Sequence, residues 1–394
     1  KVTVLPGHAN SANLCLCVPA DQFEELNRRY SDYDARTIME VIKSYQWFNM
    51  IHRVSDLKGV GTGGTDSMLV MDCSPEVMQL EEQSIPTPGP KEVLVRVKVA
   101  SVNFIDIQQR RGDLVKQRFY SEKAGLDPNL PVTVGSQGVG VVEVLGDDVD
   151  HVKVGDRVVC AGGGGTYASH VLMPAQRLIP IPDDISFETA AAGMVQGFLA
   201  WAFTHRAYPV KPGDWCMVQA AAGGVGLLLC QMAKFRGGRV IGVTSKEEKA
   251  QYVREAGVDE VIISTQMDMV DEVKRITEGK GVNVVYDGVG KDTFEANLDS
   301  LTLGGYFIIY GQASGYVPPF DLMKLQEKGS LFLTRTNGLP YMKEWPQYIQ
   351  DFVKWTKSGQ LFTRIDHKYS LADAALAHEA MEQRKTSGRV LLYP

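Results

Sequence analysis

Between residue 212 and about residue 335 the apolar positions change period in a regular rhythm. Short runs rich in Val, Ile, Tyr and Phe predict strands at 215–219, 239–243, 260–263, 282–287, 306–310 and 331–334. Between most of them the spacing becomes helical, as in EEKAQYVREAG and DMVDEVKRITEG. Strands alternating with helices at this spacing predict a parallel, doubly wound sheet.

Upstream, from Met68, the pattern is different. MLVMDC, VLVRVKVASVN, GVGVVEVLG, DRVVCAG and TYASHVLM read as strands, punctuated by P-T-P-G-P, G-D and G-G-G-G. Closely spaced strands with few helices predict a barrel-like domain. A helix of small residues follows over 186–207, with Ser186 as its N-cap. After about Trp345 come a helix in YIQDFVKWTKSG and a closing strand, expected to return to the first domain.

Residues 1–66 match neither pattern. Phe23, Leu26, Tyr30, Tyr33, Ile38, Val41, Ile42, Tyr45 and Phe48 recur at spacings of three and four, which predicts one or two amphipathic helices within 20–53. KGVGTGGTDS, residues 58–67, then reads as a linker. The extension either packs on its own subunit or serves as a docking arm for another chain.

The 394 residues, 44% hydrophobic and 22% charged, suffice for two or three domains with cores of their own. Lys and Arg total 41 against 47 Asp and Glu, a net charge of -6 without basic blocks, which argues against nucleic acid or an anionic membrane as partner. No uncharged apolar run approaches the roughly 18 residues a membrane-spanning helix needs. The cysteines, Cys15, Cys17, Cys73, Cys160, Cys216 and Cys230, are scattered, which suits a reducing compartment. Cys15 and Cys17 have no second Cys or His pair near them at zinc-like spacing. The expected location is cytoplasmic, or an organelle matrix if a targeting peptide preceded Lys1.

The chemistry is carried by VQAAAGGVGLLLCQMAK, residues 218–234. A strand, the turn A-A-A-G-G-V-G and a helix from about Val225 place Ala221, Gly223 and Gly226 at the spacing of a dinucleotide-binding fingerprint, with Ala for its first glycine. Gly223 lets the backbone approach a pyrophosphate, Gly226 lets the helix pack on the strand, and free helix N–H groups supply the anion site. At the end of the next strand an NAD site usually carries Asp or Glu, whereas VIGVTSKEEK offers Thr244, Ser245, Lys246 and Lys249. Hydroxyls and ammonium groups suit the 2′-phosphate of NADPH, with Glu247 and Glu248 turned to solvent.

Taken with that turn, NFID (103–106), VVYDGVG (284–290) and KGSLFLTR (328–335) resemble the zinc-free quinone oxidoreductases of the medium-chain dehydrogenase/reductase superfamily, relatives of zeta-crystallin. The resemblance runs from about Met68 to Pro394. It implies an α/β fold: a GroES-like β-barrel domain (68–190 and 336–394), an inserted Rossmann domain (191–335) and an extra N-terminal helical extension with its linker (1–67). Zinc members carry a catalytic Cys and a His-Glu pair; the corresponding positions here are Asn103 and Ser136-Gln137, so a metal-free enzyme is expected.

By the same resemblance, Asn103 would lie near the nicotinamide, and Ala222, Gly223, Gly224, Val225 and Gly226 at the pyrophosphate. Thr244, Ser245, Lys249 and Ser264 would surround the adenosine phosphate, and Gly288, Gly311, Gln312 and Ser314 would form cofactor loops. Arg335 and Arg389 match basic positions near the cofactor, and each could equally be a surface ion pair. Departures from the family pattern stand at Gln108, at Asp113-Leu114, at the helix stretch VQGFLAWAF, where many members have Thr, and at Ser264, where Tyr is common.

Hydride transfer to a quinone needs alignment and exclusion of water rather than an obligatory acid. An enone acceptor would gain from a donor, for which Asn103, Tyr167 and Tyr120 are candidates, with Asp106 either catalytic or structural and Tyr167 alternatively a core aromatic. His170 and His205 read as structural. Three functions are weighed: NADPH-dependent quinone reduction, C=C reduction of enals or enones, and a cofactor-binding scaffold that joins a larger assembly through residues 1–66. A homodimer is expected through the apolar edge GSLFLTR.

Overall fold

The computed structural model describes residues 2–4, 74–111, 132–162 and 164–394. The predicted helices within 20–53, the linker 58–67, the run MLVMDC, Cys15, Cys17, Tyr120 and Asp113-Leu114 lie outside the described residues.

Strand β1 (Val2–Val4) runs antiparallel to β2 (Met78–Leu80) and to β4 (Val132–Thr133) in a small sheet. The larger sheet of this part is built on β3 (Glu92–Val102), whose valines at 93, 95, 97 and 99 are buried. Helix α1 (Phe104–Arg110) follows it directly. Strands β5 (Gln137–Leu145), β6 (Arg157–Ala161), β7 (His170–Pro174) and β8 (Leu178–Pro180) complete the antiparallel run: β3 pairs β5 and β7, β5 pairs β6, and β6 pairs β8. Gly140 is required here, since a Cβ would stand 2.1 Å from the Arg96 carbonyl oxygen.

Helix α2 (Phe187–Ala202) begins at the predicted cap: the Ser186 hydroxyl accepts from the Thr189 N–H at 3.0 Å. The predicted helix does not stay α-helical to Ala207. It widens into a π-turn over Phe203–Ala207, where Tyr208 N–H reaches the Phe203 carbonyl.

The second sheet is wholly parallel. Its strands are β9 (Trp215–Val218), β10 (Arg239–Thr244), β11 (Glu260–Ile263), β12 (Val282–Asp287), β13 (Leu301–Ile309) and β14 (Phe332–Arg335), in the order β11-β10-β9-β12-β13-β14. This is the 3-2-1-4-5-6 order of a dinucleotide-binding sheet. The connecting helices are α3 (Gly224–Phe235), α4 (Glu247–Glu255), α5 (Met269–Ile276), α6 (Phe294–Asp299) and α7 (Met323–Glu327). Strand β13 starts five residues earlier than predicted: Gly304, with φ +66, and Gly305 mask an extended run that has an irregular register against β12.

Helix α8 (Trp345–Lys357) packs on α2, and strands β15 (Ile365–Ser370) and β16 (Arg389–Tyr393) flank helix α9 (Ala374–Glu382). Strand β16 returns to pair antiparallel with β3. One apolar core, which includes Phe198, Trp201, Leu228, Tyr348 and Leu391, therefore runs from the parallel sheet into the barrel through α2 and α3.

Candidate active site

The residues expected to hold a cofactor follow strands of the parallel sheet at their carboxyl ends: 222–226 after β9, 244–245 at β10, Ser264 after β11, Gly288 after β12, 311–314 after β13 and Arg335 at β14. Open α/β sheets bind ligands at this edge, beside the central strand where the order reverses.

The turn after β9 has one backbone shape that it can hold. Ala220 sits at φ +49, in the left-handed region that costs a side-chain-bearing residue energy. Gly223 is the N-cap of α3, and the first helical bond runs from Leu227 N–H to the Gly223 carbonyl, which leaves the amides of Gly224, Val225 and Gly226 without helical partners. A Cβ at Gly226 would lie 2.4 Å from the Ala220 carbonyl oxygen, so this glycine sets the helix against the strand.

The barrel closes on this turn. Gly388 N–H donates to the Ala222 carbonyl at 2.8 Å, and the Arg389 side chain packs so closely that a Cβ at Gly224 would stand 2.5 Å from its Cδ. Lys249, from α4, donates through Nζ to the carbonyls of Arg384 at 2.9 Å and Thr386 at 2.6 Å, in the loop between α9 and β16. Burial and then the neighbouring Lys246 charge lower the Lys249 pKa.

Downstream, the Asp287 carboxylate accepts from the backbone of Val289 and Gly290, from Thr293 and from Asn297, and burial raises its pKa. Gly288 and Gly311 touch backbone to backbone; a Cβ at Gly311 would stand 2.5 Å from the Gly288 carbonyl oxygen. Ser314 Oγ donates to the Val289 carbonyl, and Arg335 donates to Gln312 and to the Ile309 carbonyl. Ser264 hydrogen-bonds back to Thr244.

On the barrel side a set of amides gathers around Asn103. Its Oδ1 accepts from Arg389 Nη2 at 3.0 Å and from Gln196 Nε2 at 2.8 Å. Its Nδ2 lies 3.2 Å from Ser136 Oγ and 3.4 Å from Gln137 Oε1. Gln196 Nε2 also donates to Gln137 Oε1, and Gln137 Nε2 to the Ala191 carbonyl of α2. Because guanidinium only donates, Arg389 fixes Asn103 with its oxygen inward, and the amide of Gln196 follows. Two buried atoms of the set, Gln196 Oε1 and Arg389 Nε, have no partner. No carboxylate among the described residues forms an ion pair with Arg389, and burial lowers its pKa to about 10.

Asp106 and Tyr167 lie deeper than the half-buried Asn103. Both are fully buried, one layer behind Asn103, with the Tyr167 hydroxyl 3.2 Å from Asp106 Oδ2 and 3.0 Å from His378 Nε2. This burial supports the structural alternative for both, Asp106 as a hydrogen-bonding residue and Tyr167 as a core aromatic. Burial raises Asp106 to about 6 and lifts Tyr167 well above its ordinary value. The structure adds Gln196, His378, Arg110 and Glu382, none of which the sequence reading singled out. His378 and Glu382 lie on a helix whose spacing reads as ordinary amphipathic surface, and no local signal joins them to NFID. His170 pairs with Glu143, and His205 stacks on Trp201 with its pKa lowered by burial to about 4. Both are structural, as expected.

Residues 89–183 match the alcohol dehydrogenase GroES-like domain, and 224–354 match the zinc-binding dehydrogenase model. Residues 1–106 match a major capsid protein model, which overlaps the barrel model across β3. The quinone oxidoreductase of Salmonella typhimurium is 39% identical over 326 residues, 81% of this chain and 96% of that protein. A 2-haloacrylate reductase from Burkholderia sp. is 36% identical over 330 residues, 81% of this chain and 96% of that protein. The crystal structure of the Escherichia coli quinone oxidoreductase complexed with NADPH superposes with a TM-score of 0.76 at 37% identity, covering 82% of this chain and 97% of that one.

The donors around Asn103 do not suit the zinc that one model's description names. Asn103, Ser136 and Gln137 offer neutral amide and hydroxyl groups already committed to one another, where zinc takes thiolate, imidazole or carboxylate. Among the described residues no group of three or more His, Cys, Asp or Glu side chains is arranged to hold a metal ion.

Proposed function

Because the chain belongs to the quinone oxidoreductase family of the medium-chain dehydrogenases and reductases, we propose that it carries hydride from NADPH to a quinone, without metal, in the cleft between its two sheets. The observation that carries this reading is the meeting of the glycine turn with Arg389, which in turn holds Asn103. The residues fit the cofactor. Free amides at the start of α3 and the buried Arg389 guanidinium, which forms no ion pair among the described residues, suit a pyrophosphate, while Lys249 with Thr244 and Ser245 suits a 2′-phosphate.

NADPH supplies the hydride when bound. The chain's own part is then to bind, align and keep out water. Gly224, Val225 and Gly226 would donate backbone N–H groups to the diphosphate, with Gly223, whose own N–H bonds the Ala220 carbonyl, and Ala222 shaping the turn. The loops at Gly288, Gly311, Gln312 and Ser314, with Arg335, would hold the cofactor on its way towards the nicotinamide, and Ser264 would help hold the adenosine phosphate. Asn103, held at both polar ends, is the fixed polar surface at the reacting end. Two chains pair through β14, whose Phe332 is exposed at the sheet edge, with the exposed Leu303 against Gly329 just ahead of it.

Titration of the purified chain with NADPH and with NADH, followed by 1,4-naphthoquinone, tests the reading. Tight NADPH binding with oxidation on adding quinone is the expected result, and no binding of either cofactor would sink it. The similarity to a 2-haloacrylate reductase supports a second reading, reduction of an activated C=C bond. Faster turnover with a 2-alkenal than with naphthoquinone would favour it.

A further inference from the structure

We propose that Arg110, His378 and Tyr167 form a one-way hydrogen-bond relay that holds Asp106 and, through it, the two backbone segments carrying Asn103 and Ser136. His378 and Tyr167 are thus positioning residues for hydride transfer. The proposal rests on the oxidoreductase reading above and adds residues to its site.

The direction of the relay follows from donor chemistry. Glu382 accepts from Arg110 Nη2 at 2.7 Å and also pairs with Arg111, which anchors the Arg110 side chain. Arg110 Nη1 lies 3.2 Å from His378 Nδ1, and a guanidinium can only donate, so Nδ1 accepts. A neutral imidazole then carries its proton on Nε2, which donates to the Tyr167 oxygen at 3.0 Å. The Tyr167 hydroxyl has its own proton left for Asp106 Oδ2, 3.2 Å away. Burial, and then the charges of Arg110 and Arg111, lower His378 to about 3, in keeping with the neutral ring.

The relay ends on a carboxylate that also accepts from two backbone amides, with the Ser136 side chain beside it. Asn103 N–H reaches Asp106 Oδ2 at 2.8 Å and Ser136 N–H reaches Oδ1 at 2.8 Å. These amides belong to the residue before α1 and the residue before β5, so one carboxylate sets the distance between two segments whose side chains line the site. Asp106 is faced by Tyr167 from the loop before β7, Arg389 from β16, and Arg110 and His378 behind Tyr167. A proton on Asp106 would turn one accepting oxygen into a donor among donors and loosen this spacing.

Burial raises the Asp106 pKa, and the hydrogen bonds from Ser136, Asn103 and lastly Tyr167 lower it, so removing the Tyr167 bond moves Asp106 protonation to higher pH. The test measures kcat and KM against pH with NADPH and 1,4-naphthoquinone, alongside NADPH binding by fluorescence. For Tyr167→Phe and His378→Leu the acid limb of kcat is expected to move up by about half a unit or more, with NADPH affinity within about twofold of wild type. His378→Gln can still accept from Arg110 and donate to Tyr167, so it should keep the wild-type profile. Acid limbs that coincide with wild type in folded Tyr167→Phe and His378→Leu would overturn the relay. If wild type oxidises no NADPH, the oxidoreductase reading fails on its own. The relay is then decided by the 13C carboxyl titration of Asp106, which should move upward in Tyr167→Phe and overturns the proposal if it does not move.

Discussion

Gly226 and Lys249 show how much depends on single positions. An alanine at 226 would force its Cβ against the Ala220 carbonyl oxygen, and that backbone cannot swing away because Ala220 already holds a left-handed conformation. Gly226→Ala is therefore expected to lower unfolding stability by about 1–3 kcal/mol and to weaken NADPH binding, checked by urea denaturation and fluorescence titration. Lys249→Met removes an ammonium that contacts backbone carbonyls here and suits a phosphate. NADPH affinity should fall about tenfold or more while NADH affinity stays within about twofold, read by parallel titrations. The turn and this lysine were legible in sequence because their spacing is local. Asp106 and Tyr167 were legible as polar residues in the right motifs with a structural reading open for both, but their partner His378 was not, since it arrives on α9 from 211 residues beyond Tyr167.

Helix α2 shows the same division among elements. Its cap at Ser186 and its small residues predict a helix, and the helix forms where expected. The reason for its glycines lies in another element. A Cβ at Gly197 would stand 2.2 Å from the Tyr348 hydroxyl, and a Cβ at Gly193 2.7 Å from the Phe352 ring, both on α8. Tyr348 is buried and donates to the Gly193 carbonyl at 2.8 Å, so it cannot retreat without losing that bond. Gly197→Ala is expected to cost about 1–3 kcal/mol in chemical denaturation, more than a surface Gly→Ala change would. The same helix presents Ala191 to Gln137 and Gln196 to Asn103, so its displacement should also lower kcat.

At the scale of the molecule, the two sheets are joined by the Gly388 and Lys249 contacts and by a shared core through α2. An edge strand with an exposed Phe332 stacked on Tyr306 offers unpaired backbone to a second copy. Replacing Phe332 by Lys together with Leu303 by Glu is expected to leave a folded monomer by sedimentation, and a wild-type chain that sediments as a monomer would refute the pairing.

What the sequence determined by itself is whatever repeats over a few residues. The alternation of strands and helices, the parallel sheet, the dinucleotide turn and the hydroxyl-rich end of β10 all follow from local periodicity and backbone sterics. The tertiary structure decided which polar groups are sealed and which remain open. Asn103, Gln137, Gln196 and Arg389 come from four separate elements, and the order Arg110, His378, Tyr167, Asp106 crosses the chain from α1 to α9. Such hydrogen-bond partners are chosen by three-dimensional packing around donors of fixed direction, and no spacing along the chain encodes that choice.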